Sequence, residues 1–112
     1  MLLPQFILSM VFVLAGFLFM KYPPKKINPL YGYRTGRSMK SPEAWNYAQR
    51  VSARRMLLSG LVGLLIFIIA SVVEFSEGIH GILMLATLVL TIFYIFYSVE
   101  RDLKKKFPDV RP

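Results

Sequence analysis

The sequence predicts an all-α membrane protein with three transmembrane helices, and three observations lead there. Residues 1–20, 56–73 and 78–99 contain no Asp, Glu, Lys or Arg. At about 1.5 Å per residue each can cross a hydrocarbon core of roughly 30 Å as a helix, the middle one near the lower limit. Every formal charge falls in what remains, which is too little chain for a separate soluble domain, so residues 1–112 read as a single membrane domain. The cations are also asymmetric: nine Lys or Arg lie within 21–55, five within 100–112, and none within 74–77. The positive-inside rule therefore puts 21–55 and the C-terminus in the cytoplasm, with the N-terminus and the acidic turn outside a plasma membrane. Three spans agree with termini on opposite sides.

A net charge of +8 would raise the question of nucleic acid in a soluble chain. Cations that flank apolar spans instead face anionic lipid headgroups, which makes those lipids the expected partner and a direct nucleic-acid role unnecessary. The absence of Cys excludes disulfides and thiolate metal sites. A cleaved signal peptide fits the first span poorly, because no cations precede the apolar run and no small-residue cleavage site ends it. The order describes a retained span inserted N-terminus outward.

Span one opens with Pro4 in its first turn, where the missing amide proton has no helical partner to lose, and closes at Lys21-Tyr22-Pro23-Pro24. From 25 to 40 the chain is rich in Pro, Gly and Asn without a helical period, which predicts an ordered loop against the membrane surface. Ser41-Pro42-Glu43 is a helix start: Ser41 can cap, Pro42 suits the first helical position and Glu43 favours the positive end of the dipole. The spacing predicts a helix over 42–55 with Ala44, Trp45, Ala48, Val51 and Ser52 on one face and Glu43, Asn46, Gln49, Arg50 and Arg54 facing away. A basic amphipathic helix with a Trp is expected in the interfacial plane, as a cytoplasmic element before span two. Its continuity with span two is open at this level.

Span two carries Ser59, Gly60 and Gly63, and span one carries Ser9 and Gly16, small residues that let another backbone approach closely and permit a homo-oligomer. Span three carries Thr87 and Thr91 on one face and ends in Phe93, Tyr94, Phe96 and Tyr97, an aromatic belt. A charged helical extension and a Pro-containing coil follow over 100–112.

The densest chemistry lies between spans one and two. Tyr31-Gly32-Tyr33-Arg34-Thr35 is followed by Ser38-Met39-Lys40-Ser41, with Trp45 four residues on. Gly32 and Gly36 allow a tight turn that presents Tyr33, Arg34 and Thr35, and Arg34 offers a planar fork of donors for a carboxylate such as Glu43 or for a phosphate. The plainer reading makes Arg34, Arg37 and Lys40 headgroup contacts and the aromatics interfacial anchors. In order and spacing the block resembles the signature of the SdpI/YfhL family of small bacterial multi-pass membrane proteins, in a short three-span form. The resemblance implies toxin-peptide immunity, because the name-giving member protects its producer from a secreted membrane-active peptide. It also implies a cytoplasmic regulator as partner, because in that member the toxin-engaged protein recruits an autorepressor to the membrane. The positions that match are Tyr31, Gly32, Tyr33, Arg34, Thr35, Ser38, Met39, Lys40, Ser41, Trp45 and Ala48.

Glu74, Glu77 and His80 have the spacing of a one-face ligand set, but Gly78 interrupts the helix and the shell is incomplete, so no metal is expected. The two acids and the His form an outward-facing contact for a cationic part of an extracellular peptide in one reading, and solvated helix caps in the other. No nucleophile and base can be assembled, no phosphate or dinucleotide loop occurs, and neither an enzyme nor a cofactor is expected. The remaining alternatives are a small homo-oligomeric transporter or channel subunit, and a scaffold that binds a soluble partner through the basic loop.

Overall fold

The computed structural model describes residues 3–73 and 75–108, which form three helices: α1 (Leu3–Lys21), α2 (Pro42–Val72) and α3 (Glu77–Lys106). No strand occurs among the described residues. All three helices are long and apolar enough to cross a membrane, and less than a quarter of each apolar window is buried within the protein, as lipid-facing helices require.

Length differences explain the architecture. α2 has 31 residues and α3 has 30, so each is about 45 Å long and outreaches the hydrocarbon core, whereas α1 has 19 and stops at Lys21. The start of α2 and the end of α3 project at the same, basic end. Where α1 stops, the connection 22–41 folds into the vacated space. The buried residues concentrate there: Tyr33, Ala44, Ala48 and Val51 pack with Ile95, Val99 and Leu103 of α3.

α2 begins as the sequence predicts. The Ser41 side chain accepts the Ala44 amide at 3.0 Å, and Pro42 takes the first helical position. The helix expected over 42–55 in the interfacial plane is instead the first part of α2, and the open question of its continuity is answered because these residues run without a break into span two. Ser52 and Ala53 lie within this continuous helix and are buried. Trp45 is correspondingly 0% exposed and packs inside the protein, not at the headgroups.

The small residues of spans one and two meet each other within the chain. A Cβ on Gly16 would sit 2.5 Å from the Leu57 amide nitrogen, and one on Gly60 equally close to that of Val13, while Gly63 faces the Ser9 hydroxyl. These backbone approaches supply the van der Waals contact that replaces a hydrophobic drive in lipid. Gly16, Gly60 and Gly63 are thus engaged by the contact of α1 on α2 within the chain. α3 joins more loosely in the membrane, where the Gln5 amide of α1 donates to the Gly63 carbonyl at 3.3 Å and to the Thr87 hydroxyl at 3.4 Å. Between α2 and α3 a concavity of about 510 Å³, lined by Ser59, Thr87, Thr91 and apolar neighbours, opens toward lipid.

Candidate functional site

The connection between α1 and α2 is held by side chains that stand in for secondary structure. Asn28 Oδ1 accepts the amides of Leu30 and Tyr31, both at 2.9 Å, and turns the chain. Gly32 then takes φ +106°, a left-handed value suited to glycine. A Cβ there would also lie 2.8 Å from both Gln49 Oε1 and Pro24 Cγ, so two requirements fall on one position. Gly36, the other glycine of the block, faces open space and has no positive φ, so the turn does not depend on it.

Tyr33 follows and is clamped at both ends. Its backbone amide donates to Gln49 Oε1 at 2.7 Å while Gln49 Nε2 donates to its carbonyl at 2.8 Å, so one helix side chain pairs both backbone groups. Its hydroxyl donates to Glu100 Oε2 on α3 at 2.8 Å. Thr35 Oγ1 donates to the same oxygen at 3.0 Å. Ser38, fully buried, accepts the Thr35 amide at 2.8 Å, and its own amide donates to Thr35 Oγ1 at 3.2 Å. The Trp45 indole N–H donates to the Pro24 carbonyl at 2.7 Å and ties the start of the connection to α2. Burial first, and then the Glu100 carboxylate, push the Tyr33 hydroxyl well above its ordinary value, so it remains a protonated donor.

The sequence-predicted motif therefore divides. Gly32, Tyr33, Thr35, Ser38, Ser41 and Trp45 come together as the inner, structural half. Tyr31, Arg34, Met39 and Lys40 are exposed, with Tyr31 stacked on Phe19 at 6.2 Å. Arg34 borders a groove of about 390 Å³ between α1 and α3 and makes no ion pair among the described residues, so its suggested contact with Glu43 is not formed. The carboxylate that the motif reaches is Glu100, and Tyr33 and Thr35 reach it.

Sequence reasoning missed three participants. Gln49, assigned to the outward face, is 3% exposed, and its partner is loop backbone rather than solvent. Its spacing was the available signal, since it lies one turn from Trp45 and on the same side. Glu100 and Asp102 stand out only as acids in a basic tail. Asp102 pairs with Arg55, whose guanidinium also lies 5.8 Å from the Tyr94 ring, so a second link fastens the end of α3 to α2.

At the opposite end Glu77 opens α3 behind the Ser76 cap, and Phe75 meets the His80 ring edge-on at 6.2 Å. Glu74 lies outside the described residues. No group of three His, Cys, Asp or Glu that could hold a metal occurs among the described residues.

The family model of the SdpI/YfhL protein family matches residues 25–98, which contain the whole signature loop, α2 and α3 up to its aromatic end. The uncharacterized protein YfhL of Bacillus subtilis (strain 168) is 56% identical over 50 residues, a stretch that makes up 45% of this chain and 46% of YfhL. The chain thus matches about half the length of this curated relative. No solved structure matches. The three apolar helices make it a multi-pass membrane protein, and with well over half of its length inside the matched range the chain belongs to the SdpI/YfhL protein family.

Proposed function

We propose that this chain is a membrane immunity or sensing protein that protects a cell against a secreted, membrane-active toxin peptide. The observation that carries the reading is the family match over residues 25–98, whose signature loop is hydrogen-bonded to α2 through Gln49 and to α3 through Glu100, just beyond the matched range. A loop that only tethers two spans would not clamp Tyr33 from two helices. Its attachment to the end of α3 also gives it a physical connection to the membrane-embedded helices, which a sensor requires. The charge distribution supports a plasma-membrane orientation with the loop and the C-terminus in the cytoplasm, where a regulator could meet the exposed half of the motif.

The protein acts in this reading without chemistry of its own and without a cofactor. A transporter is less well supported. Three helices do not enclose a pathway, and the polar groups within the spans are neutral ones such as Gln5, Ser9, Thr87 and Thr91. The test is expression in a sensitive bacterial cell challenged with membrane-active toxin peptides, beside a flux assay in liposomes. Survival without flux is the expected outcome. Ion or solute flux in liposomes with no gain in survival would transfer the assignment to a transport subunit.

A further inference from the structure

A basic concavity at the loop end has its cations within the matched range but does not use the signature positions Tyr31 to Lys40. Lys25, Arg50 and Arg54 line a pocket of about 490 Å³ whose apolar side is formed by Phe19 and Met20 at the end of α1. Arg50 and Arg54 are one turn apart on α2 and share a face. Lys25 is brought opposite them because the buried Trp45 N–H holds the carbonyl of its neighbour Pro24. Asn46 adds an uncharged donor, and no acidic side chain lines the pocket.

Its depth is set by the helix register. Gly16 lies against Ala53 and Leu57, so the last turn of α1, which carries Phe19 and Met20, stands beside the turn of α2 that precedes Ala53. The apolar residues therefore reach the end of span one with Arg50 and Lys25 at its edge, while Arg54 starts one turn deeper on α2 and its long side chain leans back along the helix toward them. An arrangement of three cations over an aromatic and aliphatic wall matches a phosphate attached to acyl chains better than a free anion, which has no use for the wall.

We propose that Lys25, Arg50 and Arg54 form a discrete site for the phosphate of an anionic phospholipid. This differs from a diffuse attraction of the exposed motif cations to the surface. The phosphate sits among the three cations, Arg50 and Arg54 donate to its oxygens, and the glycerol and first methylenes rest on Phe19 and Met20. The site is independent of the immunity reading.

The test uses the purified full chain in a neutral detergent, titrated with phosphatidylglycerol or phosphatidylcholine and read by native mass spectrometry as bound lipid per chain. The variants are Arg50→Gln with Arg54→Gln, and Lys25→Gln alone. The control, Lys104→Gln with Lys105→Gln, removes the same charge from exposed positions at the end of α3. Wild type and control are expected to bind phosphatidylglycerol in preference to phosphatidylcholine. The double arginine variant should bind it about 25-fold more weakly and Lys25→Gln about fivefold, at roughly fivefold per cation near the surface. Because Lys25 lies outside the helices, its variant reports even if the arginine pair disturbs α2. Equal weakening in the control would show diffuse charge and overturn the site. Displacement of the lipid by millimolar inorganic phosphate, with equal binding of glycerol phosphate, would make it a free-phosphate site and overturn the lipid assignment.

Discussion

Replacing Tyr33 by Phe removes one hydroxyl and nothing else, which makes it the sharpest probe of how the signature loop is fastened to α3. The lost bond runs 2.8 Å to a carboxylate oxygen that Thr35 also reaches at 3.0 Å. Hydrogen bonds to charged acceptors contribute about 1.5–3 kcal/mol. Glu100 is only half-buried, so water can replace part of what is lost, and we expect about 1.5 kcal/mol for Tyr33→Phe. Glu100→Ala removes both bonds and should cost about 2–3 kcal/mol. The double variant should fall short of the sum by about 1 kcal/mol, because the two residues share one interaction. Trp45, the one tryptophan of the chain and fully buried beside the loop, serves as the fluorescence probe in a denaturing-detergent titration of the purified protein. The pH dependence has a defined sign. Since folding raises the Tyr33 value above its ordinary 10.0, its contribution is complete below about pH 10 and is lost as pH rises beyond that. Wild type should therefore lose stability in strong alkali more than Tyr33→Phe does. A coupling under about 0.3 kcal/mol between positions 33 and 100 would refute the clamp.

Gly16→Ala should destabilise the α1–α2 contact by about 1–3 kcal/mol, because its Cβ would strike the backbone of Leu57 and Ala53. Gly63→Ala, which meets the Ser9 side chain, should cost less, and Gly81→Ala, with open space around it, should be neutral or slightly stabilising in the same titration. Trp45→Ala should cost about 3–5 kcal/mol and lower protection through lost loop structure, whereas Arg34→Lys should lower protection in the toxin challenge while leaving unfolding unchanged, since Arg34 is exposed. Wild-type survival of Arg34→Lys at matched expression would leave that side chain only a surface charge. For orientation, cysteines at Gly36 and Ser76 should differ on intact cells, with 76 labelled by an impermeant thiol reagent and 36 protected. Ser38 would be protected on either side because it is fully buried, so it reports nothing, and labelling at 36 alone would reverse the topology.

What could be read from the sequence depended on how local its cause is. The spans were legible because charge is absent from them, and the start of α2 because Ser41 and Pro42 act within one turn. That Ala44, Trp45, Ala48, Val51 and Ser52 share one face was legible by period, but that face, expected at the membrane interface, is buried inside the protein. Gln49 was misplaced because polarity was allowed to outweigh spacing: its amide turns inward to serve the backbone of Tyr33, 16 residues away. Glu100 was invisible for the same reason at greater range, 67 residues from Tyr33. The glycines of α2 signalled close approach without naming the partner, and the partner is α1.

This division bears on where function resides. Gly32, Tyr33, Thr35, Ser38 and Trp45 carry much of the resemblance to the family, yet Ser38 is occupied in bracing the loop on itself and the other four in holding it to α2 or α3. If the chain confers the proposed immunity, their loss would lower protection through structure alone, so their variants cannot locate a ligand. Tyr31, Arg34 and Met39 lie on the outside of the same loop, where a substitution leaves the clamp intact. Loss of protection with unchanged stability at these three positions is what separates a recognition surface from a scaffold, and it is there that a toxin or regulator contact has to be sought.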